Sequence, residues 1–347
     1  MERYFCVFIL WPTILFSQAG RDSVLLKERS IARPITLHRG QVRLEGGYTL
    51  ATITKGFDED GQVYDLKSSG TSFARHQFYF AFRYGFFQNL TIEVYTDRKS
   101  QSIRKEQIIT LSSTEGIVEI SEIETKKGWE NLNLMLVGRL PIRNARLDLI
   151  GASGLGLQLG EDQEQRPDHR YSSDPNGATS LHYRFNKKWG NGTSLLQVGS
   201  WIKYRWPMMA VTSGVFYALP VTEAKDVRWE YQLKNQVFQY RPVPYQHQSP
   251  AIIRYNLEVE YQIAPWFDIS VSLSGENSNG GWVKEVDQRY QIPRASLFVL
   301  APGYEIIVTP KVWLRQKINF SLFGESSEAP FSIFTSLVFN DFPILKK

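Results

Sequence analysis

From Gln77 to Tyr95 the chain reads QFYFAFRYGFFQNLTIEVY. Phe78, Phe80, Phe82, Tyr84 and Phe86 take every second position, with Gln77, Tyr79, Ala81, Arg83 and Gly85 between them. A period of two puts the two sets on opposite faces of one strand. After Phe87-Gln88-Asn89 the pattern resumes, with Leu90, Ile92 and Val94 against Thr91, Glu93 and Tyr95. Two long alternating runs joined by a short turn predict an antiparallel hairpin with one apolar and one polar face.

The same alternation recurs over Leu147 to Leu159, Ile253 to Ile263 and Val312 to Leu322. Ordinary strands are about 5–6 residues long, whereas these runs have the reach to cross a bilayer at a tilt. Connections then alternate in length. Phe87 to Asn89, Leu140 to Asn144, Lys187 to Gly192, Pro220 to Asp226, Ala264-Pro265 and Thr309-Pro310 read as short turns. Lys55 to Thr71, Asp97 to Gly128, Gly160 to Ala178, Asn235 to Ser249 and Gly275 to Pro293 read as long loops, with tight turns at Trp206-Pro207 and Gly324 to Pro330 on the same side. The expected fold is all-β: a transmembrane antiparallel β-barrel of about fourteen strands, with twelve as the alternative, long extracellular loops and short periplasmic turns. A soluble sandwich also alternates. It would need several packed layers to hide strands this long, and Arg254, Glu258 and Glu260 oppose an unbroken apolar face.

Composition agrees. The 347 residues carry 40 Lys+Arg against 35 Asp+Glu, and 14% are aromatic. So many rings exclude a disordered chain, and the single Cys, Cys6, excludes a disulfide scaffold. Mean hydropathy is nevertheless slightly polar, as expected when apolar and polar residues share every strand. Arg3, the apolar run Tyr4 to Phe16 and the small residues Ser17 and Ala19 fit a signal peptide over residues 1–19. Residues 20–40 then form an N-terminal periplasmic or plug segment, 41–339 the barrel and 340–347 a C-terminal extension. The last alternating strand, Phe331 to Phe339, looks like the signal that outer-membrane barrels present to the barrel insertion machinery.

No motif for chemistry holds up. His247-Gln248-Ser249 has the spacing of a lipid hydrolase pair, but Pro250 follows where such enzymes carry Asn-Gly. The glycines of Gly151 to Gly160 sit in an alternating strand and open no helix, so a nucleotide loop fails its context. Asp58-Glu59-Asp60-Gly61 lacks the later ligands of a calcium loop. The basic residues form no dense run, which excludes a nucleic-acid partner. The chain therefore reads as no enzyme, with no cofactor and no metal. Its polar faces offer lumen-lining candidates: the bases Arg83, Arg139, Arg146, Arg184, Lys203, Arg205, Arg228, Arg254, Arg315 and Lys317, and the acids Glu93, Asp148, Glu230, Glu258, Glu260 and Asp268. Ten bases against six acids predict a mixed lumen with a basic excess. The expected role is a channel in outer-membrane lipid for small, aromatic or anionic solutes. The alternatives are a non-transporting surface protein and, behind it, the lipid hydrolase.

The segment Phe82 to Glu93, FRYGFFQNLTIE, resembles the strand-turn-strand hairpin of a Gram-negative outer-membrane family named for the "MetA-pathway of phenol degradation". Tyr261 to Trp266, YQIAPW, and Gly303 to Pro310, GYEIIVTP, are similar to its repeated hairpins with a turn proline. The likeness runs loosely from residue 41 to 339. It implies a barrel pore for small organic, often aromatic, molecules. It carries over no site residues, because that family has no defined site motif.

Overall fold

The structure is a computed structural model. It describes residues 36–340 apart from 67–70, 72, 88, 111–116, 141, 143, 145, 160–167, 174–178, 189–192, 235–236, 286–287 and 310. The expected signal peptide, the segment 20–35 and residues 341–347 lie outside the described residues.

Twelve strands form the barrel wall: β1 Val42–Phe57, β2 Phe73–Phe87, β3 Leu90–Thr110, β4 Leu132–Arg139, β5 Leu147–Leu157, β6 Leu195–Arg205, β7 Met209–Pro220, β8 Ala251–Ala264, β9 Phe267–Asn279, β10 Ala295–Thr309, β11 Val312–Glu325 and β12 Ser327–Asn340. Each pairs antiparallel with its sequence neighbours in this series. β1 closes the ring, with Val42↔Tyr84 to Ile53↔Phe73 on β2 and Arg43↔Asn340 to Phe57↔Ser327 on β12. Closure removes the free edges an open sheet would expose. Among the described residues no helix is long and apolar enough to cross a membrane.

The wall thus takes the lower of the two expected strand counts. Thr179–Lys188 and Ala224–Lys234 alternate as wall strands do, yet both pair above the membrane. The first joins Asp168–Ser173 and, in parallel, Ile117–Trp129. The second joins Val237–Gln248, Trp282–Glu285 and Gln288–Gln291 in a separate four-stranded sheet. Counting both as wall strands reverses the direction of everything between them. Pro220 to Asp226 therefore lies at the long-loop end rather than among the short turns, as does the segment before Leu195 that holds Lys187 to Gly192. Trp206-Pro207 is in turn a short periplasmic turn, since β6 and β7 pair from Arg205↔Ala210 upward. The other expected turns and loops lie on the sides expected.

Side-chain contacts identify the inner face. Tyr95 Oη on β3 donates to Gln197 Oε1 on β6 at 3.3 Å, and Lys317 Nζ on β11 meets Glu258 Oε1 on β8 at 2.5 Å. Each contact skips two intervening strands, and such a chord can only run through the interior of a closed ring. The alternate positions, including Phe78, Phe80, Leu134, Leu136, Val198, Leu257, Val259, Val271 and Phe320, are exposed and form the apolar belt. Gln316 stands on that belt, accepts from Tyr304 Oη and donates to Thr335 Oγ1 at 3.5 Å. Its polar atoms are thereby partnered by neighbouring strands rather than left facing hydrocarbon. Ring pairs gather at the short-turn end, Phe86 with Phe87 and Tyr204 with Trp206 at 4.5 Å and Trp266 with Phe267 at 5.6 Å. Phe80 meets Trp129 at 6.2 Å towards the other end. Two aromatic levels flanking an apolar band are the girdles of a membrane barrel.

Candidate functional site

The interior of the barrel has two unlike sides. On β10, β11, β12, β1, β2 and β3 an ion-pair network holds the wall. Arg83 reaches Glu93 at 2.7 Å and Glu45 at 3.1 Å. Arg315 pairs with Glu305 and lies 3.6 Å from Glu45, and Ser336 Oγ donates to Glu45 at 3.2 Å. The belt of charge continues across the lumen through Lys317 to Glu258 at 2.5 Å and Lys203 to Glu260 at 2.8 Å. It ends on Asp148, which is fully buried between Arg139 at 2.6 Å and Arg205. Nearer the outer end, Arg254 pairs with Glu276 at 2.6 Å.

Of the sixteen predicted residues, Arg83, Glu93, Arg139, Asp148, Lys203, Arg205, Arg254, Glu258, Glu260, Arg315 and Lys317 enter these inner pairs. Asp268 is buried at the start of β9, in register with Glu305. The remaining four lie elsewhere. Arg146 is exposed in the turn before β5. Arg184 belongs to Thr179–Lys188, and Arg228 and Glu230 to Ala224–Lys234, outside the barrel wall. Sequence reading also missed Glu45, Glu276 and Glu305. Seven of the ten predicted bases and five of the six predicted acids lie on the inner face, and the three missed acids share it with further bases, Arg43, Arg75 and Lys99, the last two paired with Glu328 and Glu130.

The opposite side, on β3 to β7, carries an apolar cluster beyond Asp148, one step further along the strands from the short turns. Met135, Val137 and Ile150 are buried there, with Tyr95, Ala152, Trp201 and Phe216 packed on them. Glycines make the space. A Cβ on Gly214 would strike the Trp201 indole, and one on Gly199 would come within 2.7 Å of it. Tyr95 and Asn133 anchor this cluster to Gln197, whose Nε2 donates to Asn133 Oδ1 at 2.6 Å.

The periplasmic mouth holds the first described residues. Thr36 and Leu37 are buried, and the Leu37 N–H donates to Thr91 Oγ1 at 2.8 Å. Gly40 N–H donates to the Gly85 carbonyl at 2.7 Å, and Gly85 N–H to the Gln41 carbonyl at 2.9 Å. The His38 carbonyl lies where a Cβ on residue 85 would stand, so this docking requires glycine.

Other motifs serve structure. Asp58 Oδ1 accepts from Asp60 N–H at 3.0 Å and Gln62 N–H at 2.7 Å, making the acidic tip a side-chain-closed turn. His247 stacks on Tyr245, and Ser249 Oγ accepts from Thr193 Oγ1 at 3.1 Å. Among the described residues no group of three or more His, Cys, Asp or Glu could hold a metal ion.

No known protein-family profile and no curated protein matches this sequence. Solved structures do. A COG4313 outer membrane channel from Pseudomonas putida F1 superposes with a TM-score of 0.57 at 12% identity, over 88% of this chain and 97% of that one. The toluene transporter TodX of Pseudomonas putida gives 0.44 at 10% identity over 92% and 93%. The translocator domain of the autotransporter NalP from Neisseria meningitidis gives 0.47 at 9% over 87% and 90%. A closed ring with an apolar outer belt and a polar interior, similar in fold to an outer-membrane channel, makes this chain an outer-membrane β-barrel.

Proposed function

We propose that this barrel is a channel for small organic solutes, which pass along the apolar side of its lumen with aromatic ones preferred. The observation that carries this reading is the cluster of Tyr95, Met135, Trp201 and Phe216 inside a barrel whose other wall is closed by mutually neutralised charges. A ring stacked on Trp201 gains contact energy there, whereas paired acids and bases leave no net field to attract a small anion. The resemblance of the hairpin sequences to the phenol-degradation family supports the same solute class.

The test is swelling of liposomes containing the folded protein, with phenyl glucoside compared with maltose. Phenyl glucoside is expected to enter faster, and Trp201→Ala to reduce its rate about two- to tenfold, from the 0.5–1.5 kcal/mol typical of an aromatic contact, with maltose unchanged. If neither sugar enters through a correctly folded barrel, the role is that of a surface protein. The strands paired above the membrane favour that second reading.

Residues 36–41 narrow the periplasmic mouth in this reading. Gly85→Val removes the seat of the His38 carbonyl, and single-channel conductance is expected to rise. Unchanged conductance would show that the segment does not obstruct the path.

A further inference from the structure

Beside β3 the outer aromatic level carries a strip of bases. Register runs Tyr48↔Phe78, Phe78↔Arg98 and Arg98↔Trp129 across neighbouring strands. Phe78, Phe80, Arg98 and Trp129 are exposed on the outer face, and the Arg98 guanidinium lies 5.9 Å over the Trp129 ring. Two positions further up, Lys127 is exposed in register with Ser100. The parallel pair places Lys188 opposite Lys127, and Arg184 opposite Ile123. Among the described residues neither Arg98 nor Lys127 has an ion-pair partner, and their neighbours Thr96, Ser100 and Thr125 are uncharged. Acids on this face stand further up in register, among them Glu106 opposite Ser121 and Asp168 opposite Arg184.

Height matters to what such a strip can meet. Strands rise about 3.3 Å per residue and tilt by about 40° in membrane barrels. Arg98 therefore stands roughly 20 Å, and Lys127 roughly 25 Å, above the periplasmic turn before Leu90, at the top of an apolar band about 25 Å tall. Lys127 lies where hydrocarbon gives way to headgroups and Arg98 just below, its long side chain able to reach the same level, with Phe78 and Trp129 beside Arg98 in register and Phe80 beneath.

We infer that Arg98 and Lys127 form a docking site for the phosphates of an outer-leaflet phosphorylated glycolipid, whose acyl chains lie on Phe78, Phe80 and Trp129. Guanidinium and ammonium groups complement phosphate charge, and Arg offers it a paired-donor fork. Trp129 holds the Arg98 side chain by cation–π contact, reducing the entropy lost on binding.

Native mass spectrometry of the full-length protein in detergent, titrated with bis-phosphorylated lipid A, tests this. The expected result is saturable binding, with lipid A stripped of both phosphates binding at least tenfold more weakly. Arg98→Gln with Lys127→Gln should weaken binding roughly thirtyfold, at about five- to sixfold per base near a charged surface. Lys311→Gln, on a periplasmic turn, should leave it unchanged. Heat-modifiable gel migration checks that each variant is folded, and the dephosphorylated arm uses the unaltered protein. Equal binding of the two lipids overturns the site, as does full binding by the folded double variant. Displacement by an equal concentration of inorganic pyrophosphate would make the ligand a soluble phosphate rather than a lipid, and overturns it too.

Discussion

Asp148→Ala is expected to destabilise the folded barrel by about 3–5 kcal/mol, the cost of removing one partner from a buried ion cluster. Asp148 is fully buried and each of its oxygens faces a different arginine, Arg139 and Arg205. The alanine variant leaves two guanidinium groups inside the wall with no carboxylate between them. Urea titration of the lipid-reconstituted protein, followed by gel mobility, measures the loss. The cause is checked by a companion variant, Asp148→Leu with Arg139→Leu and Arg205→Met. That variant should recover most of the lost stability, because replacing a whole buried cluster by apolar residues of similar volume is often neutral. If it is as unstable as Asp148→Ala, the cluster acts through shape rather than charge.

Glu258→Gln with Glu260→Gln should turn a weakly selective lumen into an anion-selective one. These carboxylates neutralise Lys317 and Lys203 across the barrel. Removing both leaves two ammonium groups facing the proposed path. A unit charge about 4 Å away is worth about 1 kcal/mol even in water. Two such charges should therefore raise the chloride-to-potassium permeability ratio by at least about tenfold, read as the reversal potential in a KCl gradient at low ionic strength, where screening is weak. An unchanged reversal potential in a conducting barrel would mean that ions do not pass these residues.

Much of this architecture is written in the alternation. Phe78 to Phe86 and Ile253 to Ile263 face outward as the period of two requires, and the opposite positions supply most of the inner ion pairs. The strand count is not written there. Ala224–Lys234 alternates Val227, Trp229, Tyr231 and Leu233 as a wall strand would, and only the direct pairing of β7 with β8 excludes it. Period reports that one face is apolar, but not whether lipid or a neighbouring strand covers it. The missed acids share a similar cause. Glu45 precedes Gly46 and Gly47, which blur the pattern of β1, Glu276 falls in the stretch Gly275 to Pro293 that reads as a loop, and Glu305 lies in Gly303 to Pro310, outside the runs of clearest alternation. The apolar inner cluster was hidden because alternation assigns the inner face to polar residues. Trp201, beside the outward Ile202, reads as a break in the pattern rather than as part of the lumen.

The parallel pairing of Ile117–Trp129 with Thr179–Lys188 bears on assembly. Two strands joined in parallel need a long connection, and here that connection includes β4 and β5, which descend into the membrane and return. Neither partner can find the other until the intervening hairpin has been threaded across the bilayer and its loop delivered outside. Non-local pairs of this kind close late. The parallel pair over this side of the barrel therefore forms after the β4–β5 hairpin beneath it is in place.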